Sequence, residues 1–509
     1  MNVFVRLLVS FSPVKNTRSS HWLSLAVWCV KIHSSRSVSS LSVALFSLFF
    51  VVGWSPFPSA NTWAWEVKTH EELTEESIKV KEQTLSAYLV ENLGFEGGLN
   101  ESLPGGTPRE LMKVGSNTED DNGRFFNHFH EPVSNRGLLE GTFDSSIDWS
   151  LRPKGEQGIR GNWSWNDARE YYYKALTSPA KSDRDTYWGK TFRALGQVMH
   201  LLQDAANPSH VRDDLHPFND GLHDYMEKRS VGSYVSSGIV SPDPSILEQA
   251  GAIRSEPFSN LFDRDIYRGG NPGSTLANDV GITEYTNANF YSDDTIGSQS
   301  GSASAYPNVS ELVPATTIPF GVQYLTLPRL GSPTELKARV AKYTGNQALA
   351  KYKLGHLQLD FLAQLQLDDL VYEAYSINLI PRAVGYSAAV LDYFFRGDLR
   401  IQGSGQCYEP GLDATQFWVD FTPAHPSHYQ DGQGVTLYFQ DSNGLWVAED
   451  FIPVREGSMR LTGGYTGSPS TVRLAVVYDG PLGPAGAVEA RGIVAKAQKI
   501  TGFIDTCLQ

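Results

Sequence analysis

The sequence predicts a multidomain α plus β protein: mainly α-helical at first, then closed by a C-terminal β-sandwich. Three observations predict it. Apolar residues recur at helical spacing over much of the stretch from Thr69 to Ala206. Residues 229–334 are instead dense in Gly, Ser, Asn, Asp and Pro. After Gly397, short clusters of β-formers alternate with turn residues. The chain of 509 residues is long enough for two or three domains, and its 41% apolar content is that of a globular protein. The net charge of −14 offers no polyanion-binding surface from the total, although a bound metal would add local positive charge.

Residues 1–64 stand apart. They carry Arg6, Lys15, Arg18, Lys31 and Arg36 and no acidic residue. The apolar run from Leu41 to Trp54 is shorter than the roughly 20 residues a spanning helix needs and suits a signal-peptide core. Thr62 and Ala64 place small residues at −3 and −1 of a cut before Trp65. The expectation is a cleaved leader and a secreted protein, extracellular or periplasmic; a retained N-terminal anchor is the alternative.

The next segment, 65–228, reads as the first part of a helical domain. Thr69 followed by Glu72 has the form of a capping box, and Leu73, Ile78, Val80, Leu85 and Leu89 give apolar positions over several turns. Asp167–Leu176 and Tyr187–Ala206 are further helix candidates, the second ended by Asn207 and Pro208. Residues 229–334 read as a loop-rich insertion. Helical spacing returns from Leu336 to about Phe395, so residues 335–397 are expected to complete the helical domain, with Pro381 as a helix start or kink. In 398–509, Gln416–Phe421, Gly434–Gln440, Trp446–Ile452 and Thr471–Tyr478 read as strands of a sandwich. That sandwich either docks on lipid or glycan or caps the helices. Cys407 and Cys507 either pair, closing a long loop, or remain as two buried thiols.

Chemistry concentrates in the first helical segment. Seven of the 12 histidines lie between positions 70 and 223. His70, Asp120, His128, His200, Asp204, His210, His223 and Glu227 are all of metal-ligand type. His200 and Asp204 are spaced i, i+4, as are His223 and Glu227, so each pair shares one helix face and can grip one ion. Alone, either pair is a common solvated or satisfied couple. Together they predict a polynuclear zinc centre and a hydrolase.

The run Met199-His-Leu-Leu-Gln-Asp-Ala-Ala-Asn-Pro-Ser-His210 resembles the signature of the zinc-dependent phospholipases C, whose ligand layout the S1/P1-type nucleases share. Trp65-Glu-Val-Lys-Thr-His70, Gly115-Ser-Asn-Thr-Glu-Asp120 and His128-Phe-His-Glu-Pro132 resemble further elements of that family, in the same order. The resemblance covers roughly Trp65 to Lys228. It implies three zinc ions: one held by Asp120, His128, His200 and Asp204; one by His210, His223 and Glu227; one by the α-amino and carbonyl groups of Trp65, with His70 and a bridging Asp204. It also implies general-base help from Asp120, with Glu227 beside it among the catalytic residues.

The activity so implied is hydrolysis of a phospholipid, at a membrane surface, to diacylglycerol and a phosphorylated head group. A single-strand nuclease is the alternative, and a zinc-assembled binding protein without turnover is another. Glu227 and His128-Phe-x-x-Pro132 favour the lipase; the short Trp65–His70 spacing favours the nuclease. His130 and Glu131 depart from the family pattern, Asp121 competes with Asp120, and Lys68 puts a choline preference in doubt.

Overall fold

The computed structural model describes residues 67–509, apart from 159–160, 217–220, 249–255, 268–277, 297–305, 317–322, 344–364, 424–428, 430–432, 456, 469, 483–490, 502–506 and 508–509. The leader and Trp65 therefore lie outside the described residues. Among the described residues no helix is long and apolar enough to cross a membrane.

Seven helices position the site: α1 (Val67–Leu93), α2 (Pro108–Asn117), α3 (Trp165–Thr177), α4 (Lys181–Asp204), α5 (Gly221–Glu227), α6 (Ile282–Asn289) and α7 (Asp369–Phe394). Local chemistry sets their ends. Thr107 caps α2 reciprocally with Glu110, with Pro108 at the first helical position; Ser164 and Asp167 do the same for α3; Asp368 caps α7. Thr69 does not cap α1, contrary to expectation. It lies inside that helix, which has already begun by Val67.

Helix α4 is the central element. Most of its length is buried, including the whole run from Ala194 to Asp204. It crosses α2 at very close range. A Cβ added to Gly196 would lie 1.9 Å from the Met112 carbonyl oxygen, and one added to Gly115 would lie 2.0 Å from that of Arg193. Only glycine permits that approach. Gly196→Ala is therefore expected to destabilise the protein by about 1–3 kcal/mol, or more because the clash is with backbone. Urea unfolding should show it, with Gly232→Ala, where the nearest atom is at 3.6 Å, as the near-neutral comparison.

One expectation is corrected. Residues 335–397 are not helical throughout: β3 (Arg339–Tyr343) joins β1 (Val313–Pro314), β2 (Gln323–Thr326) and β4 (Leu365–Gln366) in a small antiparallel sheet, and α7 starts only at Asp369. Arg339-Val-Ala-Lys-Tyr343 is too short for its period to separate helix from strand. Pro381 lies within α7, so it is not the helix start. The stretch 229–334 also contributes to the core. All eight residues of α6 are buried, and Arg212 binds the carbonyls of Asn287, Phe290 and Tyr306.

The C-terminal region is a two-sheet sandwich. Strands β5 (Leu399–Glu409), β6 (Ala414–Pro423) and β9 (Met459–Thr466) form one sheet in the order β5-β6-β9. Strands β7 (Gly434–Gln440), β8 (Trp446–Pro453), β10 (Val472–Pro481) and β11 (Arg491–Ile500) form the other, in the order β11-β10-β7-β8. Phe417, Val419 and Phe421 meet Leu437, Leu474 and Val476 between the sheets. The opposite face of the four-stranded sheet offers Tyr438, Ala475, Val477, Ile493 and Ala495 to the helical core. Lys496 donates to Asn92 at 2.7 Å, and the Trp446 amide to Pro179 at 3.0 Å. One face of the sandwich thus acts as a cap on the helices. Cys407 and Cys507 are joined in a disulfide.

Candidate metal centre

The last turn of α4 delivers His200, Gln203 and Asp204, all fully buried. A carboxylate as the final residue of a helix sits against the negative end of the helix dipole, which favours a cation there. The first turns of α1 bring His70 onto the same spot, its ring stacked on that of His200 with centroids 3.6 Å apart. Past the end of α2, Asp120 turns inward. Asn122 and Gly123, both at positive φ (58° and 75°), reverse the chain so that His128 returns to the same point.

Five side chains converge. The Asp204 carboxylate lies 3.2 Å from His70 Nε2, 2.8 Å from His128 Nδ1 and 3.1 Å from His200 Nε2. Asp120 Oδ1 lies 3.4 Å from His128 Nδ1 and 3.7 Å from His200 Nε2. Among the described residues, two groups have ligand atoms within 4.8 Å of one another: His70, Asp120 and His200; His128, His200 and Asp204. They share His200, so they form one compact centre.

This donor set fits a metal ion. His70 Nδ1 is bonded to Gln203 Oε1 at 2.8 Å, leaving Nε2 toward the centre. His200 Nδ1 is bonded to the Ser116 carbonyl at 2.6 Å, a contact set by the tight α2–α4 crossing, and again Nε2 faces inward. His128 turns Nδ1 inward and Nε2 toward Glu119, 3.8 Å away. The outer nitrogens of His70 and His200 are thus tethered and their inner ones presented, which is how metal-ligating imidazoles are fixed. His70 Nε2, Asp120 Oδ1 and both Asp204 oxygens are buried without a well-formed hydrogen bond. Such atoms are costly to bury unless something binds them.

Electrostatics sort the group. Burial, reinforced by the charge on His200, lowers His70 to a pKa of about 4; burial lowers His128 to about 3. Both imidazoles are neutral at pH 7, the form that ligates. At His200 burial opposes the charge, but the Asp204 and Asp120 carboxylates outweigh it and hold the pKa near 9. Burial raises Asp120 to about 7. Burial would raise Asp204 too, but the surrounding histidines prevail and keep it well below the usual carboxylate range.

Other predicted site residues lie outside these two groups. His210, in the turn after α4, stacks on Phe129 and places Nδ1 3.7 Å from Asp204. His223 is buried on α5, with Nδ1 3.4 Å from the neighbouring Asp224. Glu227 is exposed at the end of α5. Asp121 is exposed, so Asp120 is the carboxylate in the centre. His130 is buried and paired with Asp263 at 2.9 Å; its amide donates to the His210 carbonyl at 2.9 Å. Glu131 caps the amides of Val133 and Ser134.

Sequence reasoning missed the supports: Ser116, Gln203, and a buried network in which Arg124 and Trp149 both donate to Glu119. Gln203 carried a usable signal. It is a polar residue next to Asp204 on a helix whose neighbouring positions are apolar.

No protein-family model matches the chain, and no curated protein matches it. Among solved structures the chain is similar to an alpha toxin from Clostridium absonum, with a TM-score of 0.27 and 12% identity over 88% of this chain and 99% of that one. It is also similar to a Clostridium perfringens alpha-toxin from an avian strain, with a TM-score of 0.23 and 12% identity over 85% of this chain and 96% of that one. At such TM-scores the likeness carries no argument, so the functional reading rests on the residues of the centre.

Proposed function

We propose that this chain is a secreted zinc-dependent phosphodiesterase of the phospholipase C type, hydrolysing a phospholipid to diacylglycerol and a phosphorylated head group. The observation that carries the proposal is the convergence of His70, His128 and His200 on Asp120 and Asp204, with inner nitrogens and carboxylate oxygens turned to one buried point. Imidazole and carboxylate without thiolate is a donor set of hydrolytic zinc. Zinc held there supplies a Lewis acid for a phosphoryl oxygen and acidifies a water toward neutrality.

The chain's own residues divide the remaining work. Asp120 is the one member of the five with an exposed edge, 18% of its side chain. It can receive a proton from water at the mouth of the centre. Gln203 and Ser116 hold the ligand rings in place. His210, His223 and Glu227 are proposed to hold a second ion, and Trp65 to lend its α-amine to a third beside His70. One residue added before a mature Trp65 would move that amine by about 3.8 Å. The extended protein is expected to lose one zinc with its helices intact; full zinc content would remove Trp65 from the ligands.

The test offers zinc-loaded, processed protein four substrates side by side: phosphatidylcholine, phosphatidylethanolamine, phosphatidylinositol and single-stranded DNA. Diacylglycerol release, abolished by a chelator and restored by zinc, supports the proposal. Cleavage of DNA alone would replace it with the nuclease reading, and no turnover on any substrate would leave a zinc-assembled binding protein.

A further inference from the structure

We propose that Glu119 is a positioning residue for the metal centre: it accepts the outer ring proton of His128 and so fixes that histidine in the form that ligates. The proposal rests on the metal reading of the centre and adds to it a residue outside the ligands. A ligating imidazole offers one nitrogen to the ion and carries its proton on the other. His70 and His200 have settled partners for that proton, the Gln203 side chain at 2.8 Å and the Ser116 carbonyl at 2.6 Å. His128 is different. Its Nδ1 faces Asp204 at 2.8 Å, while its Nε2 is buried without a hydrogen bond. The group that Nε2 faces is the Glu119 carboxylate, with Oε1 3.8 Å away and both side chains shut off from solvent. An N–H···O bond spans about 2.7–3.2 Å, so a ring shift of roughly 1 Å completes the contact.

Glu119 is built into place for this. It directly precedes Asp120, and the reversal at Asn122 and Gly123 brings Arg124 back to it. Arg124 Nη2 lies 2.8 Å from each Glu119 oxygen, and Trp149 Nε1 donates to Oε1 at 2.9 Å. Gln157 accepts from the same Arg124 nitrogen at 3.1 Å and donates to the Trp149 carbonyl at 2.8 Å. A carboxylate has roughly four acceptor sites. Arg124 and Trp149 take three, which leaves one for His128. Glu119 belongs to neither group of converging ligand atoms, so it acts through His128 and not on an ion. A carboxylate on the outer nitrogen also makes the inner nitrogen a stronger donor to a metal.

The ring N–H resonances of zinc-loaded, processed protein, labelled with nitrogen-15 in its histidines, test the proposal. His70 and His200 donate to neutral carbonyl groups, whereas His128 donates to a carboxylate, a stronger bond whose proton resonates at lower field. The expected result is one low-field ring proton that appears with zinc, on a histidine ligating through Nδ1. In Glu119→Gln that proton moves upfield, while those of His70 and His200 stay. His130, paired with Asp263, supplies a low-field control that responds neither to zinc nor to the substitution. Zinc affinity of Glu119→Gln, measured by chelator competition, should fall about 10–100-fold with circular dichroism unchanged. A zinc-loaded wild type without that low-field proton, or with His128 bound through Nε2, overturns the proposal whether or not Glu119→Gln folds. Wild-type zinc affinity in Glu119→Gln overturns it too. A wild-type protein that holds no zinc would instead overturn the metal centre, and this proposal with it.

Discussion

Asp204→Asn protein is expected to lose its bound zinc and to turn over at least on the order of 10²-fold more slowly than wild type. The size follows from position. Residues that merely orient metal ligands cost about 10–100-fold when removed. Asp204 is closer than that, meeting His70, His128 and His200 at 2.8–3.2 Å through its two oxygens. Asparagine keeps the shape and the end of α4 but removes the charge that gathers these rings. Elemental analysis and circular dichroism on the same sample separate loss of metal from loss of fold. Wild-type zinc content in Asp204→Asn would take that residue out of the centre.

The second large effect is expected in the sandwich. Replacing both Cys407 and Cys507 by serine should cost about 4.7 kcal/mol, the chain-entropy value for a loop of about 100 residues; the bond spans a sequence separation of 100. The urea midpoint should fall accordingly, while zinc content stays unchanged because the centre is built from α1, α2, α4 and the segments that follow α2. Alkylation of both thiols in native protein would show that the bond does not form, and an unchanged midpoint would show that the loop is already constrained without it.

How much of this was legible in the sequence differs by element. The strands at Gln416–Phe421, Gly434–Gln440, Trp446–Ile452 and Thr471–Tyr478 were readable because β-formers cluster between turn residues, and apart from Thr471 they fall within β6, β7, β8 and β10. Strands β5, β9 and β11 were not. Leu399–Glu409 and Met459–Thr466 carry Gly403, Gly405, Gly463 and Gly464, which read as loop. At least one of those glycines, Gly405, serves to seat an aromatic ring rather than to turn the chain.

In the centre, helical spacing put His200 and Asp204 on one face, but only together with the other ligand-type residues did the pair point to a metal. That Asp120 and His128 join His200 and Asp204, with His70 at a neighbouring ion bridged by Asp204, was implied only by the family resemblance, because spacing carries no information about which distant turns meet. The pair His223 and Glu227 is placed differently. The i, i+4 relation holds on α5, yet His223 is buried and Glu227 exposed. The supports were illegible for another reason. The Ser116 carbonyl reaches His200 because Gly115 and Gly196 let two helices touch, a tertiary fact without a local signature.

Zinc K-edge absorption spectroscopy on loaded, desalted protein tests the central claim most directly. The predicted result is retained zinc with a first shell of nitrogen and oxygen only, at about 2.0–2.2 Å, and the outer-shell scattering of several imidazoles. A protein that keeps no zinc after desalting, or one whose zinc shows a sulfur shell at about 2.3 Å, would contradict a centre built from His70, Asp120, His128, His200 and Asp204.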